Sequence, residues 1–123
     1  MTIAFWCVLA AAFLPYVAFG MVRGLDANLP RASAKELEGR SLRAHGAHLN
    51  AFEAFAPFAA AVIIAHIAGG GPSALVNVLA VTFVLVRLAH IYFYVADRQP
   101  LRSASFGVGL LLVVVIFISP LFR

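Results

Sequence analysis

The sequence contains few charged side chains for its length. Aspartate, glutamate, lysine and arginine make up 11% of the 123 residues, whereas about a quarter of a typical soluble domain is charged. Hydrophobic residues account for 63%, well above the share in soluble domains. This composition excludes a water-soluble globule, a disordered tail and a coiled coil. It indicates an all-α polytopic membrane protein with a single domain over residues 1–123.

The sequence also lacks a second cysteine and any charged side chain before Arg23. Cys7 alone cannot form an intramolecular disulfide, so no disulfide framework holds the fold. A secretory signal begins with a basic segment, and none is present here, so the uncharged start predicts a spanning helix. The net charge of +4 indicates basic loops facing anionic lipid and no nucleic-acid partner.

Apolar runs separated by turn-forming residues predict a bundle of four membrane-spanning helices. Gly69–Ser73 has the composition of a tight turn, and Asp97–Arg102 reads as a short polar loop around Pro100. The charged stretch after the first span predicts a loop around Pro30 that runs into a helix near Ala34. The predicted helices cover about residues 1–22, 38–68, 74–96 and 103–120.

Basic residues are concentrated in two of the three predicted loops. Five lie in the first loop and two, Arg98 and Arg102, lie in the third, whereas the second loop has none. The positive-inside rule therefore places the first and third loops in the cytoplasm and both termini on the non-cytoplasmic side, with Arg123 the one dissenting charge. Because no organelle-targeting segment is apparent, we expect a multi-pass protein of a bacterial inner membrane.

Two of the predicted spans carry polar side chains on a single face. Asn50 and Glu53 are three residues apart in the second span, and Arg87, His90 and Tyr94 have helical spacing in the third. A charge at the centre of a membrane costs about 2.5–3.5 kcal/mol on insertion scales. These stripes therefore indicate polar groups that must be paired, hydrated or bound to a ligand.

The depths of two opposite charges match. Glu53 and Arg87 each lie about 15 Å from the same side of the membrane at 1.5 Å per residue, which predicts an ion pair between antiparallel helices. A buried pair of this kind could serve packing alone. The additional polar groups above it favour a ligand cleft whose mouth opens toward Arg43, Arg98 and Arg102.

An arginine-rich cleft that contains one carboxylate suits a ligand with carboxylates, an amine and amides. Glutathione has this set of groups, and an arginine near its sulfur would favour the thiolate over the thiol. The chemistry expected is attack by that sulfur on an apolar electrophile that arrives through the bilayer.

Two segments of the sequence resemble the MAPEG family, the membrane-associated proteins of eicosanoid and glutathione metabolism. Ala47–Glu53 followed by Pro57-Phe58 is similar to the family's signature in its second helix. The third-helix and third-loop signature is matched, in order, by Arg87, Leu88, Ala89, His90, Tyr94, Arg98, Pro100, Arg102 and Ser103. Essentially the whole chain is covered, although Gly46 stands where members often carry arginine.

The resemblance implies a homotrimer that binds glutathione in a cytoplasmic-side cleft between neighbouring subunits. It implies a glutathione transferase or peroxidase of the microsomal type, acting on a lipophilic small molecule. Arg102, with Ser103 beside it, would be the catalytic group that stabilises the thiolate. The residues implied in glutathione binding are Arg43, Asn50, Glu53, Arg87, His90, Tyr94 and Arg98.

Two other interpretations of the function stay open at this point. The chain could be a non-catalytic binding or scaffold protein of the same fold, with a vestigial site. It could be a small transporter or channel subunit, although the non-cytoplasmic halves of the helices offer little beyond Asn77 and Thr82 to line a path. His45 and His48 have metal-ligand spacing, but two histidines do not complete a zinc shell, so we predict no metal site.

Overall fold

The computed structural model of the protein describes residues 1–123 and contains helices joined by short connections. A short helix follows the first long one, and two 3₁₀ turns extend helical segments. The helices are α1 (Ile3–Phe19), α2 (Pro30–Ser33), α3 (Gly39–Ala68), α4 (Ala74–Val95) and α5 (Gln99–Ile118), with 3₁₀ turns at Ala34–Glu36 and Ser119–Phe122.

Three helical segments are long and apolar enough to cross a membrane: α3, α4, and α5 together with its 3₁₀ extension. α1 is also apolar but has 17 residues, a length of about 26 Å, whereas the hydrocarbon core is about 30 Å thick. The prediction of a helical membrane bundle is confirmed by these segments, and α1 lies at the lower limit of spanning length.

The observed boundaries differ from the predicted ones in two places. α5 begins at Gln99 rather than near residue 103, because Pro100 occupies its first turn, where a missing N–H costs no helical hydrogen bond. The first loop contains α2, which begins at Pro30 for the same reason. The third loop is therefore only Ala96–Arg98, which brings the start of α5 directly against the end of α4.

α3 and α4 form the central pair of the bundle, and α1 and α5 flank them. α1 packs on α3 and α4, and α5 packs on the same two helices. Small buried residues at helical spacing permit this approach: Ala4, Cys7, Ala11 and Ala18 lie along α1, and Ala44, Ala47, Ala51, Ala61 and Ala65 lie along α3. In membrane bundles such small-residue stripes allow close packing between backbones.

The bundle has two chemically different ends. At the end that holds the chain termini, Thr2 Oγ1 lies 3.0 Å from His66 Nε2, and the Ala4 amide donates to Asn77 Oδ1 at 2.9 Å. Arg123 Nη1 donates to the carbonyls of Gly69 and Gly71 at 2.7 and 3.0 Å. These contacts place both termini beside the second turn, as the even number of spans predicts. We call this the termini end and the opposite one the loop end.

Phe58 of α3 and Phe83 of α4 form the centre of the apolar core. Their rings are stacked, with centroids 4.0 Å apart and planes inclined by 8°. Both side chains are buried. The core between this pair and the termini end is wholly apolar except for His66 and Ser119, whose side chains bond to backbone carbonyls. The polar site therefore lies on the loop side of the stacked rings.

Candidate functional site

A chain of hydrogen bonds links α4 to α3 on the loop side of the stacked phenylalanines. Arg87 is buried, and its Nη2 donates to Asn50 Oδ1 at 2.6 Å. Asn50 Nδ2 lies 3.5 Å from Glu53 Oε2, at the limit of a hydrogen bond. The predicted direct Glu53–Arg87 ion pair is wrong: the amide of Asn50 stands between the two charges and contacts both.

A cavity of about 140 Å³ opens beside this chain, between α3, α4 and α5. Its polar side consists of Asn50, Glu53 and Arg87. Its remaining walls are mostly apolar and come from all three helices: Ala54, Pro57, Phe83, Phe106, Gly109, Leu110 and Val113. We call it the apolar chamber. An apolar group that entered the chamber would lie against the hydrogen-bonded side chains of Arg87, Asn50 and Glu53 without displacing them.

A second, more polar space lies next to the apolar chamber toward the loop end. This polar cleft has a volume of about 250 Å³ and shares two lining residues, Asn50 and Phe106, with the chamber. Four more residues complete its lining: His90, Tyr94, Arg102 and Ser103. Five of these six residues were predicted as site residues, so the structure brings together side chains that are up to 53 positions apart in the sequence.

Tyr94 lies between the backbone of α3 and the guanidinium of Arg102. A Cβ atom added to Gly46 would approach Tyr94 Oη to 2.5 Å, so the phenol occupies space that only glycine leaves free. The guanidinium carbon of Arg102, Cζ, lies over the same ring, 4.6 Å from its centroid and within cation–π range. Gly46 therefore leaves the space in which the tyrosine ring stands, and the ring in turn contacts the arginine.

The polar cleft presents groups with unused hydrogen-bonding capacity. The guanidinium of Arg102 makes no hydrogen bond within the chain, and only the tyrosine ring orients it. His90 Nδ1 is buried without a hydrogen-bond partner, the one such side-chain atom in the structure. Ser103 Oγ accepts from Gln99 Nε2 at 3.0 Å, which leaves its own proton to donate. His90 Nδ1 is enclosed and carries the cost of a buried polar atom without a partner. A ligand with hydrogen-bond acceptors fits the open donor capacity of Arg102 and Ser103.

Two predicted site residues line neither the polar cleft nor the apolar chamber. Arg43 donates from Nε to the carbonyl of Val95 at 3.1 Å and lines a different groove, on the α1 side of the central pair. Arg98 is exposed at the N-cap of α5 and makes no side-chain hydrogen bond there. Within one chain, the mouth of the cleft is therefore formed by Arg102 without Arg43 or Arg98.

The apolar wall supplied by α5 was not predicted. Phe106, Gly109 and Leu110 line the chamber, yet their segment is apolar on every face, so helical spacing in the sequence does not show which face turns inward. The bridging position of Asn50 was missed for a different reason. Counting residues from the end of a helix gives the position of a side chain along the helix axis. It does not give how far that side chain reaches toward the neighbouring helix.

Comparison with known protein families identifies a match over nearly the whole chain. The MAPEG family model matches residues 3–122, which is nearly the whole chain and includes every residue of the polar cleft and the apolar chamber. No curated protein and no solved structure matches the chain. A match of this extent is sufficient for assignment, and the chain belongs to the MAPEG family.

Proposed function

We propose that the protein binds glutathione in the polar cleft and promotes transfer of its sulfur to lipophilic electrophiles. The observation that carries the proposal is the Arg102 guanidinium, which is oriented by Tyr94 but makes no hydrogen bond within the chain. It lies in a cleft that adjoins an apolar chamber. A cationic donor beside an apolar compartment matches the needs of a thiol nucleophile and an apolar partner.

Each residue of the cleft has a distinct part in this reaction. Arg102 favours the ionised form of a thiol placed beside it, and the Ser103 hydroxyl can donate a hydrogen bond to the same sulfur. Asn50 and Glu53 offer amide and carboxylate groups to the peptide and amino parts of the ligand. His90 and Tyr94 line the wall, and Arg87 holds Asn50 in place. When bound, glutathione would supply a thiolate, its proton released to water, whose sulfur bonds to an electrophilic carbon as the leaving group departs. With a hydroperoxide the sulfur would take the outer oxygen as the O–O bond breaks and the alcohol leaves, and a second glutathione would complete the reduction by forming the disulfide and water.

The apolar chamber is the proposed site for the electrophile. Phe83, Phe106 and Leu110 provide an apolar lining at the depth of lipid chains, and the chamber meets the polar cleft at Asn50 and Phe106. A lipophilic molecule could thus enter from the bilayer while glutathione enters from the loop end. The walls do not specify one substrate, so we assign a class: lipophilic compounds with an electrophilic carbon or a hydroperoxide.

Assembly into a homotrimer is part of the proposal. Glu53 is exposed in the single chain although it lies in a spanning helix, and an ionised carboxylate facing lipid is costly. A neighbouring subunit packed over this face would remove Glu53 from lipid and close the cleft. We also propose that the loop end faces the cytoplasm, because the basic residues of both loops lie there, and that the membrane is a bacterial inner membrane.

A scaffold with a vestigial site is the second candidate function. It is favoured by one observation: Tyr94 fills the space beside Gly46, where relatives often carry an arginine for the ligand. A transporter is less well supported, because the stacked Phe58–Phe83 pair and the apolar core behind it leave no polar path to the termini end.

Thermal unfolding of the detergent-purified protein with increasing glutathione tests binding. A ligand that binds only the folded state stabilises it by about 2.7 kcal/mol at a hundredfold excess over Kd. We expect a saturable rise in Tm that is weakened in Glu53→Gln and in Arg102→Ala. Arg31→Ala is the matched control, because Arg31 is an exposed arginine without a side-chain hydrogen bond.

Conjugation of glutathione to an activated aryl halide then separates enzyme from scaffold. We expect turnover in the wild type and a loss of about a hundredfold or more in kcat for Arg102→Ala, the scale seen when a charge-stabilising donor is removed. Binding without turnover toward aryl halides, enones and lipid hydroperoxides would establish the scaffold function. No Tm shift at millimolar glutathione would overturn both.

A further inference from the structure

The largest of the cavities lies away from the proposed glutathione site. This groove of about 450 Å³ is on the α1 side of the central helix pair, near the loop end, whereas the polar cleft is on the α5 side. Val17 of α1 and Met21, which follows the end of that helix, form one wall, and Leu88 and Ile91 of α4 form part of the other. We call it the α1–α4 groove. Nothing in the proposed reaction uses it.

Two arginines lie at the loop end of the groove, and none of its nine lining residues is acidic. Arg40 and Arg43 are three positions apart in the first turns of α3, so they point to the same side. Arg40 is exposed and makes no side-chain hydrogen bond. Arg43 is fixed through its Nε by the carbonyl of Val95, which leaves both of its terminal nitrogens for another acceptor. The groove therefore ends in two cations without a counter-charge.

The apolar part of the groove continues from these arginines into the membrane. From Val95 at the level of Arg43 to Leu88 is seven residues of α4, or about 10 Å along the helix axis. Leu88 is 41% exposed and Val17 is 48% exposed, whereas Ile91 is buried, so the groove has a buried floor and sides that are open to lipid. The groove therefore combines two arginines that can bind an anion at its loop end with apolar walls that continue to the depth of the lipid chains.

We propose that the α1–α4 groove binds an anionic phospholipid, with its phosphate between Arg40 and Arg43 and one acyl chain between α1 and α4. Guanidinium groups match phosphate with paired hydrogen bonds, and basic pockets between membrane helices are suited to anionic headgroups. A free anion would use the arginines but not the apolar walls. A zwitterionic lipid would use the walls but leave the two cations uncompensated. The site is independent of the glutathione cleft.

Thermal unfolding of the full chain in neutral detergent, titrated with dioleoylphosphatidylglycerol, tests the proposal. We expect a saturable rise in Tm that dioleoylphosphatidylcholine and inorganic phosphate do not reproduce. Arg40→Gln should weaken the apparent affinity about fivefold, and the double change Arg40→Gln with Arg43→Gln roughly thirtyfold. Leu88→Trp should abolish the response by filling the groove while both arginines remain.

Control variants separate a loss of lipid binding at the groove from a general effect of removing charge or of poor folding. Arg31→Gln removes an exposed first-loop arginine outside the groove and should leave the response unchanged. Arg40→Gln disturbs no hydrogen bond within the chain, so its result stands even if the double variant folds poorly. An equal response to phosphatidylcholine or to inorganic phosphate would overturn the proposal, as would equal losses in Arg31→Gln. A change of oligomeric mass in Leu88→Trp without any lipid response would assign the groove to a second copy of the chain instead.

Discussion

The two halves of the bundle differ in how completely their polar side chains are hydrogen-bonded within the chain. Toward the termini end, Thr2 meets His66, Asn77 accepts from a backbone amide, and Arg123 donates to two carbonyls. Toward the loop end, Arg102 makes no hydrogen bond and His90 Nδ1 is buried without a partner. Both halves contain polar side chains that are bonded within the chain, such as Arg87 to Asn50 toward the loop end, but Arg102 and His90 Nδ1 are left without a partner there.

This difference separates the polar groups that hold the helices together from those that are available to a ligand. Polar groups with partners on neighbouring helices fix the packing and have little capacity left for a ligand. Groups that are oriented but unpaired are the ones a ligand can use. Asn50 belongs to both classes, because it accepts from buried Arg87 and also lines the polar cleft. Substitutions in each half should therefore separate stability from ligand binding, except at Asn50.

The largest effect on stability is expected at the centre of the core, where the two halves meet, from Phe58→Ala. Removing a fully buried aromatic ring leaves a cavity opposite Phe83 and should lower the free energy of unfolding by about 3–5 kcal/mol. Phe117→Ala removes the same ring from a position that is 50% exposed and serves as the matched control. Denaturant or thermal unfolding in one detergent measures both. If the two variants lose equal stability, the stacked pair is not the centre of the core.

Asn50→Leu should be next in size and should affect both properties. The leucine has the same branched arrangement of four heavy atoms as asparagine but offers no acceptor, so the buried guanidinium of Arg87 is left without its partner at a cost of about 2–3 kcal/mol. The glutathione response should weaken as well. Asn50→Asp keeps an acceptor and should recover most of the stability in the same unfolding assay. Equal losses in both variants would mean that the hydrogen bond to Arg87 contributes little.

Much of the fold and part of the site could be predicted from the sequence. The apolar runs and the Gly69–Ser73 turn indicate the long helices, and the spacing of Asn50 with Glu53 places both on one face. The start of α5 was predicted too late, because Pro100 was interpreted as part of a loop and not as a first-turn residue. The sequence near a proline does not fix where a helix begins, because a proline can end one helix and can also occupy the first turn of the next.

The remaining parts of the site depend on how neighbouring helices are placed, which the spacing of residues along one helix does not show. Asn50 between Arg87 and Glu53, and Tyr94 against Gly46, are contacts between side chains of different helices. Helical periodicity fixes which residues share a face of one helix, but not the rotation and distance of the neighbouring helix. For the same reason the sequence placed Arg43 at the mouth of the cleft, whereas the structure turns it toward the α1–α4 groove.

Gly46→Ala should have a smaller effect on stability and a selective one on the site. The new Cβ would lie 2.5 Å from Tyr94 Oη, so the phenol must move and Arg102 loses the ring that orients it. Because a side-chain end can shift, the cost should be about 1–2 kcal/mol. A double-mutant cycle with Arg102→Ala, measured by the glutathione-induced Tm shift, should show strong coupling. Additive losses would indicate that Gly46 and Arg102 act independently.

The smallest effect is expected from Arg123→Gln, and it tests the paired half most directly. The variant removes donation to the carbonyls of Gly69 and Gly71, which are exposed, so unfolding should become easier by only about 0.5–1 kcal/mol. Hydrogen exchange should rise in the 69–73 turn, while the glutathione response stays unchanged because the polar cleft lies at the other end of the bundle. Arg98→Gln at the loop end is the matched control, since that exposed arginine makes no side-chain hydrogen bond and should leave exchange in the turn unaltered. If Arg123→Gln weakens glutathione binding instead, the two halves are coupled, and pairing within the termini half does more than hold the helices together.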